Sequence, residues 1–154
     1  MDKNKFLNLI RQMESSGGKN TNHKQLKSGI HKGDSAIGEY GIMPNTAREF
    51  IKRRELKDQI GPDEALMQQM NSQQLKDFLG NQDRVEQNLA DDIADRVLSR
   101  SKGDEEKAAY MWNQGHNMRA SQITDDKLDS ADYIQKFRAL RSLMDNKRKL
   151  ASQE

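Results

Sequence analysis

Apolar residues along the first part of the chain recur at spacings of three and four, the period of an amphipathic helix. One helical face carries Phe6, Leu9, Ile10 and Met13. Asp2 is placed to cap the start of this helix, which is predicted to run from Lys3 to Glu14. The residues that follow, Ser15-Ser16-Gly17-Gly18, favour a stop. Because no alternating run of strand length occurs anywhere, the pattern predicts a mainly α fold.

The same helical period predicts six later helices. In chain order these are about Thr46 to Lys57, a helix opened by Pro62 that carries Leu66, Met67 and Met70, Asn71 to Leu79, a long helix over Val85 to Leu98, Glu105 to about Trp112 capped by Asp104, and one from about Ala131 that carries Tyr133, Phe137, Leu140 and Met144. Thr46 and Glu49 match a T-x-x-E capping box, so we expect the second helix to begin at Thr46.

Between the first two helices, Lys19 to Asp34 is polar and contains Gly29 and Gly33. This pattern predicts a long polar loop or an irregular hairpin, a feature that is uncommon in a compact domain unless it is functional. At the other end of the chain, the residues "NKRKLASQE" predict a frayed, solvated tail.

Length and composition indicate one domain over residues 1–145, followed by a polar C-terminal tail over 146–154. Only 33% of the residues are hydrophobic, so the core is expected to be thin. The absence of cysteine excludes disulfides, thiolate zinc sites and a cysteine nucleophile. Lys and Arg number 26 against 24 Asp and Glu, a balance that does not favour a nucleic-acid partner.

No apolar segment reaches the roughly 20 residues that a membrane span requires, so we expect no integral membrane segment. The N-terminus also lacks an apolar signal-peptide core, which predicts synthesis in the cytoplasm. Any action outside the cytoplasm would then need another route out.

Glu14 is the first candidate for chemistry. A carboxylate at the C-terminal end of a helix faces the negative end of the helix dipole, and partial burial beside Met13 would disfavour its ionisation further. We therefore expect a raised pKa, as a general acid requires near neutral pH. The alternative is an ordinary solvated glutamate at a helix end.

Two further segments combine unusual residues. The stretch "AIGEYGIMPNT" (Ala36 to Thr46) sets Glu39 and Tyr40 between Gly38 and Gly41, which plain turn chemistry leaves unexplained. The stretch "AAYMWNQG" (Ala108 to Gly115) brings Tyr110, Trp112 and Asn113 to a helix end. An indole suits the face of a sugar ring and an amide suits its hydroxyl or acetamido groups, whereas the alternative for Trp112 is a core position.

In this order, the segments resemble the soluble lytic transglycosylase family of the lysozyme superfamily. The matching residues are Glu14-Ser15, the run from Gly38 to Ala47 (GEYGIMPNTA), Met111 to Gly115 (MWNQG), and Tyr133-Ile134. The resemblance spans about residues 6 to 137 and implies a lysozyme-like helical domain, of the goose-type lysozyme or lytic transglycosylase kind, with a long polar loop after the first helix.

The resemblance implies roles residue by residue. Glu14 would be the catalytic acid and Ser15 its supporting neighbour. Tyr40 and Met43 would line the cleft, Trp112 would keep a sugar-stacking surface, Asn113 would orient substrate or the site itself, and Tyr133 would close it near the glycan. Tyr110, outside the matched motif, is a further substrate-binding candidate from the segment Ala108 to Gly115. The chain departs from the family at three positions. Gly41 stands where many members have glutamine, Trp112 where they have tyrosine, and Glu39 where they often have an apolar residue.

The implied activity is cleavage of peptidoglycan between N-acetylmuramic acid and N-acetylglucosamine, with Glu14 as acid and then base, giving 1,6-anhydromuramyl products. An inverting hydrolase would instead need a second carboxylate about 6.5–9.5 Å away to activate water. Glu39, and less favourably Asp34, offers such a group, so a lysozyme remains open. A glycan-binding or assembly module of the same fold without turnover is a further alternative.

The three histidines and the basic last helix complete the candidates. His23 and His31 lie in the polar loop, where solvated side chains are expected rather than a metal site, and no cofactor or metal is expected. The last helix carries Lys136, Arg138, Arg141, Lys147, Arg148 and Lys149, which predict a solvated face or modest attraction to the anionic cell wall. We expect a monomer of phage type that reaches the wall after holin release or as a virion component.

Overall fold

The computed structural model describes residues 2–27 and 33–153. Within these ranges the chain is mainly helical and forms no strand, as the sequence predicts. The helices are α1 (Lys3–Ser15), α2 (Pro44–Leu56), α3 (Pro62–Met67), α4 (Ser72–Leu79), α5 (Asp83–Arg100), α6 (Glu105–Gln114), α7 (Asp125–Ser130) and α8 (Asp132–Ser152), with a 3-10 turn at Ala120–Gln122. A lysozyme-like arrangement of these helices stays a prediction.

The chain divides into two compact units, and the divisions fall inside α1 and α5. The split unit comprises Met1–Met13 with Ile93–Glu154, and the central unit comprises Glu14–Asp92. The expectation of one domain over residues 1–145 stays a prediction.

In the split unit, α6, α7 and α8 pack against one another. Phe6 of α1 is fully buried, and its ring centroid lies 6.2 Å from that of Trp112 and 6.3 Å from that of Phe137. Lys5 Nζ also donates to Asp145 Oδ1 at 2.8 Å. The first helix is therefore joined to α8 by an aromatic cluster and by an ion pair.

A group of five charged side chains, the charge network, links the helices of the split unit: Glu105, Glu106, Asp129, Arg138 and Arg141. Arg138 Nη2 lies 2.7 Å from Glu106 Oε1 and 2.9 Å from Asp129 Oδ1. Arg141 Nη2 lies 2.7 Å from Glu106 Oε2 and its Nη1 contacts Glu105. Two of the basic residues expected to form a solvated face are thus engaged within the protein.

In the central unit, α2 packs against α3 and α4. The fully buried apolar side chains of these helices include Ile51, Met67, Leu75 and Leu79. Arg54 Nη1 donates to Asp92 Oδ2 at 3.1 Å, and Glu64 Oε2 accepts the Gly61 N–H at 3.0 Å. Glu64 is only 4% exposed. The central unit therefore contains a buried carboxylate that is not part of the candidate segments around Glu14 and Gly38.

Several predicted boundaries are confirmed. The Lys5 N–H donates to Asp2 Oδ1 at 2.8 Å, so Asp2 caps α1, and Ser16, Gly17 and Gly18 end the helix with positive φ angles. Asn71 caps α4 by accepting the Gln74 N–H. In the described part of the polar loop, Leu26 N donates to Asp34 O at 2.8 Å and Gly33 N donates to Leu26 O at 2.9 Å, as an irregular hairpin requires.

The prediction that a Thr46 capping box opens α2 is wrong. The helix begins at Pro44, and its N-cap Met43 makes no side-chain capping bond. Proline is preorganised for the first helical position, and it holds the preceding residue in an extended conformation. Met43 has φ −73° and ψ 146°, so the proline rather than the threonine sets the start.

Two differences lie in the last third of the chain. Helix α7 was not predicted, although Thr124 caps it by accepting the Lys127 N–H. The expected frayed tail is instead helical through Ser152, because residues 146–152 contain no glycine or proline to end α8. Its side chains are exposed, as expected. Among the described residues, no helix is long and apolar enough to cross a membrane.

Candidate functional site

A tight turn lies at the centre of the second candidate segment. Ile37 and Ile42 form an antiparallel bridge in which each N–H donates to the other carbonyl, at 2.8 and 3.0 Å. Both side chains are almost fully buried. The four residues between them, Gly38 to Gly41, form what we call the glycine turn. Gly38 and Gly41 have φ angles of +70° and +62°, a region that favours glycine strongly.

Each glycine of the turn faces a carboxylate. A Cβ built on Gly41 would lie 2.3 Å from Glu14 Oε2 and 2.7 Å from Glu14 Cδ. A Cβ built on Gly38 would lie 2.3 Å from Glu86 Oε1 and 2.6 Å from Glu86 Oε2. An added side chain at either position would have to displace a carboxylate, so both carboxylates lie directly against the backbone of the same turn.

Polar side chains also hold the peptide groups of the turn. Ser15 Oγ donates to the Glu39 carbonyl at 2.7 Å, and His23 Nε2 lies 2.7 Å from the Gly38 carbonyl oxygen. The Tyr40 N–H donates to Glu86 Oε1 at 3.1 Å. The turn is therefore fixed at three consecutive residues as well as at the bridge that closes it.

The end of α1 explains how Glu14 and Ser15 reach the turn. Ser15 is 2% exposed, and besides donating to Glu39 its Oγ accepts the Gly18 N–H at 2.9 Å. The Ser15 carbonyl accepts the Asn20 N–H, also at 2.9 Å. This compact reversal fixes the last helical turn, on which Glu14 is half-buried. A half-buried carboxylic acid on a rigid support is suited to proton transfer.

The predicted site residues fall into two groups. Glu14, Ser15, Glu39, Tyr40 and Met43 belong to the central unit, and the structure brings Glu14 and Ser15 together with the turn that contains Glu39. Tyr40 is 9% exposed, so most of its side chain is in the core. Its predicted contact with substrate, like that of Met43, stays a prediction.

The other predicted residues belong to the split unit: Tyr110, Trp112, Asn113 and Tyr133. Trp112 is half-buried and packs edge-on against Phe6, so part of its indole serves the core. Asn113 is exposed, and its Oδ1 accepts the side-chain amide of Gln114 at 2.6 Å. Tyr110 and Tyr133 are each half-buried.

Sequence reasoning missed two residues of the site. Glu86 is 3% exposed and lies three positions before Leu89 on the apolar stripe of α5, a register that signals a buried position. His23 was expected to be solvated, but its ring contacts the Gly38 carbonyl. His31 lies outside the described residues.

Gly41 combines a positive φ with close approach of the Glu14 carboxylate. A longer side chain at this position, such as glutamine, would have to displace that carboxylate. The glycine is therefore tied to the particular position of Glu14 in this protein.

Shifted pKa values occur in both units. In the central unit, burial lowers the pKa of Arg54, but the hydrogen bond to Asp92 and the charges of Glu64 and Asp92 raise it above its ordinary value. The split unit has several such shifts. The hydrogen bond from Arg138, helped by Arg141, lowers the pKa of Glu106 against the opposing effect of burial. The bond from Lys5 lowers the pKa of Asp145, and those from Glu106 and Asp129 raise the pKa of Arg138. These charges are used to hold α1, α6, α7 and α8 together.

The third histidine, His116, lies in the split unit. His116 is 7% exposed, and its Nδ1 accepts a hydrogen bond from Arg96 Nε at 2.9 Å. Within residues 2–27 and 33–153, no group of three His, Asp or Glu side chains is arranged to hold a metal ion.

Comparison with family models, curated proteins and solved structures gives no match. The assignment of a function therefore depends on the geometry of the glycine turn and on the sequence motifs.

Proposed function

We propose that this protein cleaves the glycan strands of peptidoglycan between N-acetylmuramic acid and N-acetylglucosamine, with Glu14 as the acid. The observation that carries the proposal is the contact of the Glu14 carboxylate with Gly41, in a turn whose sequence is the most specific of the motifs. The residues that resemble the transglycosylase pattern at Glu14-Ser15 and at Gly38-Gly41 are in contact, although more than twenty residues separate them in sequence.

The chemistry assigned to Glu14 needs one carboxyl group in two protonation states. As the acid, it donates its proton to the glycosidic oxygen while the bond to the muramyl anomeric carbon breaks. As the carboxylate, it then takes the proton of the muramyl C6 hydroxyl, whose oxygen attacks the anomeric carbon. The product carries a 1,6-anhydro ring, and the proton returns to Glu14, so the enzyme is ready for another cycle.

The glycine turn supports this role by fixing the surroundings of the acid. A misplacement of about 1 Å can cost about 100-fold in rate, so a catalytic carboxyl benefits from a rigid wall. The Ser15 hydroxyl joins the end of α1 to the turn through the Glu39 carbonyl, which keeps the two segments in register. This is the supporting role that the resemblance implies for Ser15.

The position of Glu39 supports the alternative function, that of a hydrolytic lysozyme. It lies in the same turn as Gly41, its peptide carbonyl is held by Ser15, and its side chain is half-buried. If it activates a water, the products will have reducing muramic ends instead of anhydro ends. The substrate would be the same for either mechanism.

The remaining contacts with glycan are proposed from the motifs. Trp112 would stack on a sugar ring with the part of its indole that Phe6 does not cover, and Asn113 would pair with acetamido or hydroxyl groups. Tyr110, Tyr133, Tyr40 and Met43 would complete the binding residues.

The test is the release of soluble fragments from purified peptidoglycan by Glu14→Gln. The amide cannot donate the proton, so release is expected to fall by at least about 100-fold while the circular dichroism spectrum is unchanged. Glu55→Gln is the matched control, because Glu55 is exposed and its carboxylate accepts a bond from Gln68, which an amide oxygen can still accept. Equal release by wild type and Glu14→Gln would exclude the proposal.

A further inference from the structure

The activity proposed above assigns no role to Glu86, yet the surroundings of this residue are unusual. It is 3% exposed, and burial of a carboxylate is costly unless polar groups compensate it. One compensating group is the Tyr40 N–H, which is 46 positions away in sequence. A buried carboxylate that binds the backbone of a turn so distant in sequence calls for an explanation.

The contact is steric as well as polar. Glu86 Oε1, Cδ and Oε2 lie 2.3, 2.5 and 2.6 Å from the position of a Cβ on Gly38. The whole carboxylate therefore lies against the Gly38 backbone, while Oε1 also accepts the Tyr40 N–H. Glu86 fixes two residues of the glycine turn at once.

The next residue after Tyr40 is Gly41, whose backbone faces Glu14. The Tyr40 N–H and the Glu39 carbonyl belong to one planar peptide unit, so Glu86 and Ser15, the neighbour of Glu14, hold the same peptide from its two ends. Glu86 is thus connected to Glu14 through this peptide, on one side by Ser15 and on the other by Gly41, which follows Tyr40 in the chain.

We propose that Glu86 is the positioning residue of this site, whose carboxylate holds the glycine turn in the place against which Glu14 is set. This inference rests on the proposed function for its kinetic consequence, but its structural consequence can be measured without activity. Glu86 acts through the turn and has no assigned contact with substrate.

The test compares Glu86→Ala, Glu86→Gln and a matched control, Glu64→Ala. Glu64 is also a buried carboxylate of the central unit that accepts a backbone N–H, but the amide belongs to Gly61 and not to the glycine turn. Loss of Glu64 should lower stability without altering the turn. The control therefore separates the general cost of removing a buried carboxylate from an effect on Glu14.

Kinetics are measured on soluble glycan chains. For Glu86→Ala we expect kcat to fall by about 100-fold with KM changed by less than about threefold, because the acid is misplaced, whereas of the proposed binding residues only Tyr40 belongs to the glycine turn. Glu86→Gln retains an oxygen that can accept the Tyr40 N–H and should recover about tenfold of that loss. Glu64→Ala should keep kcat within about twofold. A folded Glu86→Ala protein with the kcat of Glu64→Ala would overturn the proposal.

Nuclear magnetic resonance gives a readout that does not need turnover. In Glu86→Ala, exchange of the Tyr40 amide should become at least about tenfold faster, and the carboxyl carbon signal of Glu14 should shift. Both signals should stay at their wild-type values in Glu64→Ala. If wild type releases no fragments, the proposed function fails, while these two signals still decide the role of Glu86. Unchanged signals in Glu86→Ala would refute it.

If Glu86→Ala does not fold, Gly38→Ala tests the same contact from the other side, because its methyl group would displace the Glu86 carboxylate. Gly103→Ala is its control, since Gly103 has a φ of +81° but nothing within 4 Å of an added Cβ. A Glu14 signal that shifts in Gly38→Ala and not in Gly103→Ala supports the proposal. Equal behaviour of the two variants contradicts it.

Discussion

The charge network of the split unit and the glycine turn of the central unit both enclose carboxylates, but with different neighbours. Glu106 meets the guanidinium groups of Arg138 and Arg141, which lower its pKa. Glu86 accepts a backbone N–H and lies against Gly38, where an added side chain would have to displace it. The first arrangement joins side chains of opposite charge, whereas the second includes a close contact between a carboxylate and the backbone of a turn.

The difference has a consequence for tolerance to mutation. Long arginine side chains at a partly exposed site can adjust, and Glu106 has two partners, so the loss of one bond leaves another. The glycine turn has less freedom, because an added carbon at Gly38 or Gly41 must displace a carboxylate and also keep a positive φ, which L side chains rarely adopt. We therefore expect small changes in the turn to have larger effects than charge changes in the network.

The largest effect is predicted for Gly41→Ala. The added methyl group must displace Glu14, and the residue must keep a positive φ, so the free energy of unfolding should fall by about 2–5 kcal/mol. Fragment release should also fall steeply, because Glu14 is moved. Urea unfolding and fragment release are measured on the same preparation.

The control for this prediction is Gly103→Ala, which has the same sign of φ without the collision and should cost only about 1–2 kcal/mol. If the two alanine variants lose the same stability and release fragments at the same rate, the contact between Gly41 and Glu14 has no importance.

A smaller effect is predicted for Glu106→Gln, which removes the charge but keeps an oxygen for one arginine. Because the pairs are partly exposed and screened, the free energy of unfolding at pH 7 should fall by about 1 kcal/mol. Thermal unfolding at low and high salt checks the prediction, since added salt should reduce the difference between the variant and wild type. If Glu106→Gln lowered the free energy of unfolding as much as Gly41→Ala, the charge network would tolerate change no better than the glycine turn.

The pH dependence of stability sharpens the same comparison. The pKa of Glu106 in the folded protein lies below its ordinary value of 4.5, so its ion pairs stabilise the protein above that pH. This stability is lost as the pH falls below 4.5 and through the lowered pKa. The slope of unfolding free energy against pH in this acid range should be shallower for Glu106→Gln than for wild type. Parallel slopes would show that Glu106 is not coupled to folding.

The smallest effect is predicted for a chain that ends at Asp145. The side chains of residues 146–153 are exposed, so their removal should change the free energy of unfolding by only about 0.5 kcal/mol. Denaturant unfolding of the shortened chain measures this. A loss of several kcal/mol would mean that the last turns of α8 have a packing role that their exposure does not indicate.

Local signals in the sequence were sufficient for most helix boundaries. Asp2, Gly17 and Asn71 act through neighbours within a few residues, so their roles follow from spacing. The helix start predicted at Thr46 is wrong because Pro44, two residues earlier, is itself a helix-start signal and sets the first residue of α2. Thr124 caps α7 through a contact of the same local kind, with the Lys127 N–H.

The candidate site was predictable only in part, for a physical reason. Glu14 and Ser15 stood out because a motif marked them, but their contacts with the turn join residues more than twenty positions apart. Glu86 is 46 positions from Tyr40, and no local rule indicates that a glutamate on an apolar stripe will bind a particular amide. Contacts of this kind depend on the packing of whole helices.

The most direct test of the central claim is mass spectrometry of the fragments that the wild-type protein releases from purified peptidoglycan, with Glu14→Gln alongside. The account predicts 1,6-anhydromuramyl ends from wild type and no fragments from Glu14→Gln. Reducing muramic ends would contradict the internal attack and make Glu39 the next residue to change. Fragments from Glu14→Gln at the wild-type rate would contradict the role of Glu14 itself.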